Sequence, residues 1–372
     1  MSGIQSIYSP KWRDLKIGNI LTLEYGKALQ NYRNGNGYFD VFGTNGKIGV
    51  TEIYLHDEPS LIIGRKGAYR GVHLAKRPFF VIDTAFYTKN KIEDLDVIYL
   101  YYWFKCIDIN SMDSGSAIPS TNRDEVYDLD ILLPPFDEQK AIAAVLSSLD
   151  DKIDLLHRQN KTLEAMAETL FRQWFVEEAQ EDWKIGKLGD EFDFTMGQSP
   201  SGSSFNQEGI GSPMFQGNAD FEFRFPKERV YTTEPTRFAQ RFETLISVRA
   251  PVGAQNMAHK ACCIGRGVAA FRYKNNNNYY TYTYFKLRSL MEEIKKFNDE
   301  GTIFGSISKS DFDTLETIIP PFELIMEFEK EAKPINDKVI ENCTQIRTLE
   351  ILRDTLLPKL MSGEVRVDYT PG

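Results

Sequence analysis

LLPPFDEQKAIAAVLSSLDDKIDLLHRQNKTLEAMAETLFRQW, residues 132–174, decides the fold because the chain carries a second copy of it. The second copy reads IIPPFELIMEFEKEAKPINDKVIENCTQIRTLEILRDTLLPKL, and its first residue, Ile318, lies 186 positions after Leu132. A fainter repeat joins the segments before these stretches, where Trp12 matches Trp183 at a spacing of 171. The sequence therefore predicts a duplication, in which a variable domain followed by a helix occurs twice. A protein with two similar halves suits a partner with two similar halves.

Each copy carries an apolar seam at alternating steps of four and three residues, which is the spacing of a coiled coil. The first seam consists of Ile142, Leu146, Leu149, Ile153, Leu156, Asn160, Leu163, Ala167, Leu170 and Trp174. The second consists of Phe328, Ala332, Ile335, Val339, Asn342, Ile346, Leu349, Arg353, Leu356 and Leu360. We expect the first helix to run from about Asp137 to Phe175, and the second to restart at Pro334. The alternative is a core helix packed on its own domain, but the seam is too long to serve one small domain.

One asparagine in each seam predicts how the two helices pair. A buried amide that faces leucines loses its hydrogen bonds, whereas two facing amides satisfy each other and fix the register. The antiparallel register that opposes Asn160 and Asn342 produces further pairs along the seam. They are Leu163 with Val339, Leu156 with Ile346, Ile153 with Leu349, and Leu149 with Arg353, whose guanidinium is expected to reach out to solvent.

The segments before the helices read as short strands and turns with Gly at the breaks. Helices are predicted near Ile92 to Ile109 and over YYTYTYFKLRSLMEEIKKFND in the second domain. The fold class is α+β: two similar mixed α/β domains joined by two long helices that form an antiparallel coiled coil, with a pseudo-two-fold repeat. We expect a domain over 1–135, a helix over 136–182, a second domain over 183–319 and a second helix over 320–372.

Composition favours a cytoplasmic protein. The four cysteines show neither a disulfide framework nor metal-ligand spacing, which suits a reducing compartment. The N-terminus does not resemble a signal peptide, and the most apolar run, around Tyr99, is too short to span a bilayer. We therefore expect no membrane partner.

Charge is distributed unevenly along a chain whose net charge is −9. The helical stretch 136–182 carries 5 basic and 11 acidic side chains, while the two predicted domains are close to neutral. Within the domains the basic residues cluster. Five basic and no acidic residues lie from Arg65 to Arg77, and twelve basic and three acidic residues lie from Arg224 to Arg288. Such clusters suit a phosphate backbone, although solvated loops also produce them.

Motifs for catalysis are missing from the sequence. It contains no GxxxxGK[ST] phosphate loop. LPPF and IPPF resemble the NPPY/NPPF motif of adenine methyltransferases but lack its Asn, and no glycine-rich methyl-donor loop accompanies them. His56, His73, His157 and His259 fit neither a metal site nor a triad. We expect a protein that is not an enzyme and that carries no cofactor.

The order of variable domain, PPFDEQKAIAAVL helix, second variable domain and second PPF helix resembles the specificity (S) subunit of type I restriction-modification enzymes. SGSAIPSTNRDEVYDLDILLPPFDEQ and the closing LLPKLMSGEVRV carry the likeness most clearly. The chain departs from the family pattern in its second helix, where EFEKEAKP replaces EQKAIAAV. The resemblance covers the whole chain, and the doubled layout is more specific than any single motif.

The resemblance implies that each domain is a target recognition domain that reads one half of a bipartite DNA sequence, with the coiled coil setting the spacing. It implies double-stranded DNA as a ligand, two methylation subunits that carry S-adenosylmethionine and modify adenine, and motor-nuclease subunits that use ATP. The alternative is an assembly scaffold or decoy that binds methyltransferase subunits without reading DNA. The basic clusters favour the first interpretation.

Candidate DNA-binding residues are those that can reach base edges or phosphates: Arg or Lys for guanine, Asn or Gln for adenine, with others holding the backbone. In the first domain they are Asn45, Lys47, Arg65, Lys66, Arg70, His73, Lys76, Arg77, Ser116, Ser120, Thr121, Asn122 and Arg123. In the second they are Gln216, Asn218, Arg249, Gln255, Asn256, Ser306, Ser308 and Lys309. Arg65 and Arg249 align at strand ends and are the strongest candidates.

Overall fold

The computed structural model describes residues 12–33, 35–112, 119–274, 276–296 and 306–368. The chain divides into two compact units, the first made of Met1–Ile153 with Thr348–Gly372 and the second of Asp154–Arg347. This division runs through both long helices, so each helix contributes one part to each unit. The four-segment division of the sequence follows the repeat instead and stays a prediction.

The first unit is built from short strands, three short helices and parts of two long ones. Its strands are β1 (Arg13–Lys16), β2 (Leu21–Tyr25), β3 (Phe39–Gly43), β4 (Gly46–Thr51), β5 (Ser60–Gly64), β6 (Val72–Ala75), β7 (Phe79–Val81), β8 (Ala85–Asn90) and β9 (Asp130–Leu133). Its helices are α1 (Ile17–Ile20), α2 (Val97–Lys105), α3 (Arg123–Tyr127) and the start of α4 (Phe136–Arg172).

Two larger sheets form much of the first unit. The antiparallel sheet β2-β8-β5-β6 buries Leu21, Ile63 and Phe86 against α2, while β4-β3-β7 forms a smaller sheet in which β3 and β7 are parallel. α2 is shorter than the predicted helix near Ile92 to Ile109. It begins only after Asp96, whose carboxylate accepts the Tyr99 backbone N–H at 2.7 Å and so caps the helix.

The second unit follows the same order of elements. Its strands are β10 (Lys184–Lys187), β11 (Phe192–Met196), β12 (Phe205–Asn206), β13 (Ser212–Phe215), β14 (Tyr231–Thr232), β15 (Phe238–Ala239), β16 (Thr244–Ser247), β17 (Gln255–Met257), β18 (Cys262–Ile264), β19 (Val268–Tyr273) and β20 (Glu316–Ile319). Its helices are α5 (Leu188–Glu191), α6 (Tyr280–Ser289), α7 (Met291–Lys296), α8 (Lys309–Thr314) and most of α9 (Phe322–Ser362). The single helix predicted over α6 and α7 is interrupted at Leu290.

The spacing between equivalent elements shows where the second unit contains additional residues. It is 171 residues between β1 and β10, 183 between β8 and β19, and 186 between β9 and β20. The main sheets match, since β11-β19-β16-β17 repeats β2-β8-β5-β6. Twelve additional residues fall between β11 and β16, and three more fall between β19 and β20. The second sheet, β12-β14-β13-β18-β15, has five strands instead of three.

α4 and α9 form the predicted antiparallel coiled coil. In the second unit, Asn342 Nδ2 donates to Asn160 Oδ1 at 2.9 Å, and both side chains are buried. The predicted register is therefore the observed one at this step, because two buried amides on facing helices bond to each other. Ile153, Leu156, Val339 and Ile346 are buried, and Leu163, Leu170 and Leu349 are half-buried.

Two predictions about the helices are wrong. α9 continues from Phe322 to Ser362 without restarting at Pro334. Pro334 is exposed, so the carbonyl that loses its N–H partner can be hydrated while buried Ala332 and Asn336 hold the helix from its other face. Arg353 does not reach out to solvent, because its Nη1 donates to Asp150 Oδ1 at 2.8 Å within the first unit.

Candidate nucleic-acid interface

The end of β5 is the centre of the candidate interface in the first unit. Lys66 forms an isolated antiparallel bridge with Ser120, and the Thr121 backbone N–H donates to the Arg65 carbonyl at 2.9 Å. Thr121 is buried, and its hydroxyl donates to the Gly64 carbonyl at 2.9 Å. A segment far along the chain is therefore fastened to this strand end, and it brings Ser120 beside the exposed Lys66.

A third segment, the turn between β3 and β4, reaches the same place. The Thr44 hydroxyl donates to the Lys66 carbonyl at 2.7 Å, and the next residue, Asn45, is exposed. Gly71 makes this approach possible, because a Cβ there would lie 2.9 Å from the Asn45 side-chain oxygen. Three distant segments thus assemble a first cluster made of Asn45, Lys66 and Ser120.

The second unit repeats the arrangement, with arginine in place of lysine. Arg249 forms an isolated antiparallel bridge with Ser306, and both are exposed. The turn after β13 lies against the same strand end, since the Gln216 carbonyl packs on Gly267, whose own carbonyl accepts the Val248 N–H at 2.9 Å. Asn218 follows in this turn and is exposed. Asn218, Arg249 and Ser306 form the second cluster.

Sheet register shows that the two clusters occupy equivalent positions. Ile63 pairs with Phe86 in the first unit, and Ile246 pairs with Ala269 in the second, at a spacing of 183 residues. Lys66 is therefore the counterpart of Arg249, and the alignment of Arg65 with Arg249 is off by one residue. The counterpart of Arg65 is Val248, which is only 2% exposed.

The Arg65 side chain is half-buried and packs against two aromatic rings. Its Cζ lies 4.8 Å from the Tyr25 ring centroid and 5.8 Å from that of Phe86, and its Nη1 donates to the Asp83 carbonyl at 3.0 Å. Arg123, another candidate, also stacks on Tyr25, with Cζ 5.3 Å from the centroid. Sequence reasoning missed Tyr25. The feature that could have indicated it is an aromatic residue immediately before Gly26, at the end of a strand.

Several candidates hold the fold together by hydrogen bonds of their own. Arg70 is 4% exposed, and its Nη2 donates to the Asn110 carbonyl at 3.0 Å. Asn256 is buried and donates to the Glu222 carbonyl at 2.7 Å, and Gln255 donates to the Tyr284 carbonyl at 2.6 Å. Because Arg70 and Asn256 are buried, they cannot present side chains to a ligand in this conformation.

Two more candidates cap short helices. Asn122 accepts the Asp124 N–H at 2.9 Å at the start of α3. Ser308 and Asp311 form a capping box at the start of α8. The residues occupy equivalent positions, 186 apart, and the pattern S-x-x-D could have indicated the cap in the second unit.

The remaining candidates are spread over the first unit. Lys76 and Arg77 are exposed but lie past β6, at the Ser60 end of β5 and not at its Gly64 end. At about 3.3 Å per residue, the two ends of β5 are roughly 13 Å apart. Lys47 is paired with Asp40 at 2.5 Å. The basic run from Arg65 to Arg77 is therefore divided, and not one patch.

His73 lies beside the first cluster. Its ring packs against Gly71 and Gly46, since a Cβ on Gly71 would lie 2.4 Å from Nε2 and one on Gly46 would lie 3.2 Å from Cε1. Burial lowers the pKa of His73 below its ordinary value, and the positive charge of Lys105 lowers it further. The imidazole is therefore neutral at pH 7.

In the second unit Gln216 and Lys309 are exposed. Ser116 lies outside the described residues. Among the described residues, no group of three His, Cys, Asp or Glu side chains could hold a metal ion. None of the described helices combines the length and apolarity needed to cross a membrane.

A buried ionic cluster in the second unit was also missed. Arg224 is 1% exposed and stacks on Tyr284, with Cζ 4.0 Å from the ring centroid. Its charge is balanced by Glu164 of α4, at 3.4 Å, and Glu164 also bonds Arg288. A large basic residue in a polar loop gives no sequence signal of burial.

Comparison with known proteins identifies the family. The type I restriction modification DNA specificity domain matches residues 10–165 and again residues 180–328. The chain is 33% identical over 299 residues to the MjaX type I restriction enzyme specificity subunit of Methanocaldococcus jannaschii, covering 75% of this chain and 70% of that protein. It is 27% identical to the MjaIX specificity subunit of the same organism, covering 73% and 69%.

A solved structure shares the fold. The type I restriction-modification S subunit from M. genitalium matches with a TM-score of 0.70 at 20% identity, covering 98% of both chains. The duplicated recognition units and the antiparallel helices are thus an architecture seen in that subunit. The chain belongs to the type I restriction-modification DNA specificity family, and it is a specificity subunit that recognises a bipartite DNA target.

Proposed function

We propose that the first cluster (Asn45, Lys66, Ser120) reads one half of the DNA target and that the second cluster (Asn218, Arg249, Ser306) reads the other half. The observation that carries this proposal is the equivalence of the two clusters. Each cluster is assembled from three segments that occupy equivalent positions in the two units, at the ends of the equivalent strands β5 and β16. The backbone is repeated while one side chain in three changes.

The side-chain chemistry suits base recognition. A lysine or arginine donates to the O6 and N7 acceptors of guanine, and an asparagine bonds adenine through N6 and N7. A serine contacts either a base or a phosphate. Lys66 and Arg249 differ in one respect, because only the arginine fork can donate two parallel hydrogen bonds to one guanine. The two half-sites should therefore be read with different stringency at the base pair that these residues meet.

We also propose that the chain has no active site and acts by positioning its partners. The doubled layout supports two methylation subunits, one for each half of the chain, together with motor-nuclease subunits. Methyl transfer to adenine from S-adenosylmethionine would take place on the methylation subunits. The purified chain alone should neither bind S-adenosylmethionine nor methylate DNA. Methyl transfer by the single chain would overturn this part of the proposal.

The test of base reading compares Lys66→Ala with Arg249→Ala in the assembled methyltransferase. Each change should remove about 1–3 kcal/mol of discrimination at one base pair and relax the methylated sequence in one half-site only. Lys76→Ala is the matched control, since it removes an exposed lysine from the far end of β5. Methylated bases are mapped by sequencing.

Two outcomes would contradict the proposal. A uniform loss of affinity over all sequences would assign Lys66 and Arg249 to phosphates, and unchanged methylation would remove them from the interface. A chain that assembles with methylation subunits but never confers sequence preference would be a scaffold.

A further inference from the structure

We propose that Tyr25, Arg65 and Arg123 form a clamp for a DNA phosphate in the first unit, a role that rests on the proposed function. Tyr25 ends β2 and is 46% exposed. The guanidinium carbons of Arg65 and Arg123 lie 4.8 and 5.3 Å from the centroid of its ring. One tyrosine therefore holds two guanidinium groups, which we call the Tyr25 clamp.

Both arginines are fixed by further contacts. Arg65 Nη1 donates to the Asp83 carbonyl at 3.0 Å, and the Phe86 ring lies 5.8 Å from its Cζ. Arg123 also lies 5.9 Å from the Tyr127 ring centroid. A stacked guanidinium keeps most of its five N–H donors at the ring edge, where they can bond an anion. Holding the two groups before DNA arrives reduces the side-chain entropy lost on binding.

Charge points to an anionic ligand. Within the described part of the chain, neither Arg65 nor Arg123 forms an ion pair with a carboxylate. Some other basic residues of the first unit do have such partners, as Arg13 does with Asp94 and Lys47 with Asp40. Two positive groups on one ring without a carboxylate attract an anion, and DNA supplies phosphates.

The position of the clamp fits a supporting role in recognition. Arg65 directly precedes Lys66, and Arg123 lies three residues after Ser120, so the clamp borders the first cluster. Phosphate contacts set the register of a protein on the duplex, while base contacts carry the sequence information. A phosphate on the clamp would hold the duplex so that Asn45 and Lys66 meet base edges. Tyr25 is then a positioning residue.

At the equivalent positions, all of them among the described residues, the second unit has no such clamp. The counterpart of Tyr25 is Met196, and that of Arg65 is the buried Val248. Lys309 stands in place of Arg123, with Nζ 6.0 Å from the Phe194 ring centroid. The clamp therefore gives the first unit a larger share of the salt-dependent affinity.

The main test measures binding of the assembled complex to its target duplex over a range of salt concentrations. Arg65→Gln with Arg123→Gln should reduce the slope of log K against log salt by about 1, because one phosphate contact is lost, with the methylated sequence unchanged. Lys76→Gln with Arg77→Gln removes the same charge from the far end of β5 and should leave the slope unchanged. An equal fall for both double variants would reveal a general charge effect and overturn the clamp.

Tyr25 itself is tested with two variants. Tyr25→Leu should weaken binding to all sequences by about 5- to 30-fold, because the two exposed cation–π contacts that hold the arginines in place are lost, whereas Tyr25→Phe should bind like the wild type. Wild-type binding by Tyr25→Leu, or a changed methylated sequence in the variant that carries both Arg65→Gln and Arg123→Gln, would refute the clamp. Relaxed specificity in Lys66→Ala tests the proposed function separately, so failure of one proposal can be told from failure of the other.

Discussion

The two units share a backbone plan and differ in the side chains that it presents. Both place three segments at the end of the third strand of the main sheet, yet the first unit presents Lys66 beside the Tyr25 clamp and the second presents Arg249. The second unit also binds its enlarged loop region to α4 through Arg224 and Glu164. The backbone therefore places the proposed recognition residues at equivalent positions, and the two units differ in the side chains and loops at those positions.

The largest effect is expected from exchanging residues 183–319 for the same segment of a relative. If each unit reads its own half-site, one half of the methylated sequence should change completely and the other should stay. The segment carries Arg224 and Arg288, which pair with Glu164 outside it, so the donor segment must keep both arginines. A change in both halves, detected by sequencing methylated bases, would argue against independent units.

Glu164→Ala tests whether the second unit depends on its buried ionic cluster. The change leaves Arg224 buried without a counter-charge, which should cost about 3–5 kcal/mol in the free energy of unfolding. Glu350 is the repeat equivalent and belongs to the first unit, where the described residues offer it no ion pair. Glu350→Ala should therefore cost about 0–1 kcal/mol. Equal losses in chemical denaturation would contradict the asymmetry.

Asn342→Leu removes one of the two facing amides in the second unit. Asn160 then loses its 2.9 Å hydrogen bond in a buried position, which should cost about 1–3 kcal/mol. The double variant Asn160→Leu with Asn342→Leu should recover much of that loss, because no amide is left unsatisfied. Denaturation curves of the three proteins check this. Additive losses in the double variant would show that the amides act independently.

The smallest expected effect is a dependence of the free energy of unfolding on pH. Burial lowers the pKa of His73 in the first unit, with Lys105 adding to the shift, and burial with Arg347 and Arg241 lowers that of His259 in the second. As the pH falls below 6.5, the ordinary pKa of histidine, these two side chains bind protons in the unfolded chain before they do so in the folded one. The free energy of unfolding therefore decreases as the pH falls below this value.

His73→Gln should weaken this acid sensitivity in the first unit and His259→Gln in the second. Hydrogen exchange measured between pH 7 and about pH 5 can follow each unit separately. Unchanged pH dependence in both variants would assign the titration to other groups.

The helices could be predicted from sequence more fully than the interface. The seam repeats at a fixed period, and one amide in each copy is enough to set the register of Asn160 and Asn342. The clusters depend on three segments that meet only in the folded sheet, and a difference of one residue decides whether Arg65 or Lys66 matches Arg249. Arg70 is buried by residues that are distant in sequence, such as Asn110. Asn122 caps a helix through a local hydrogen bond to Asp124. Residue type alone could not separate them from surface residues.

Photo-cross-linking tests the central claim, that each unit contacts its own half-site, most directly. A photoreactive phenylalanine derivative replaces Asn45 in one protein and Asn218 in another, because both positions are exposed and keep Lys66 and Arg249 intact. The assembled complexes are irradiated on a target duplex, and the cross-linked base pairs are mapped. The account predicts cross-links from Asn45 in one half-site and from Asn218 in the other. Cross-links from both positions in the same half-site, or only in the spacer, would contradict it.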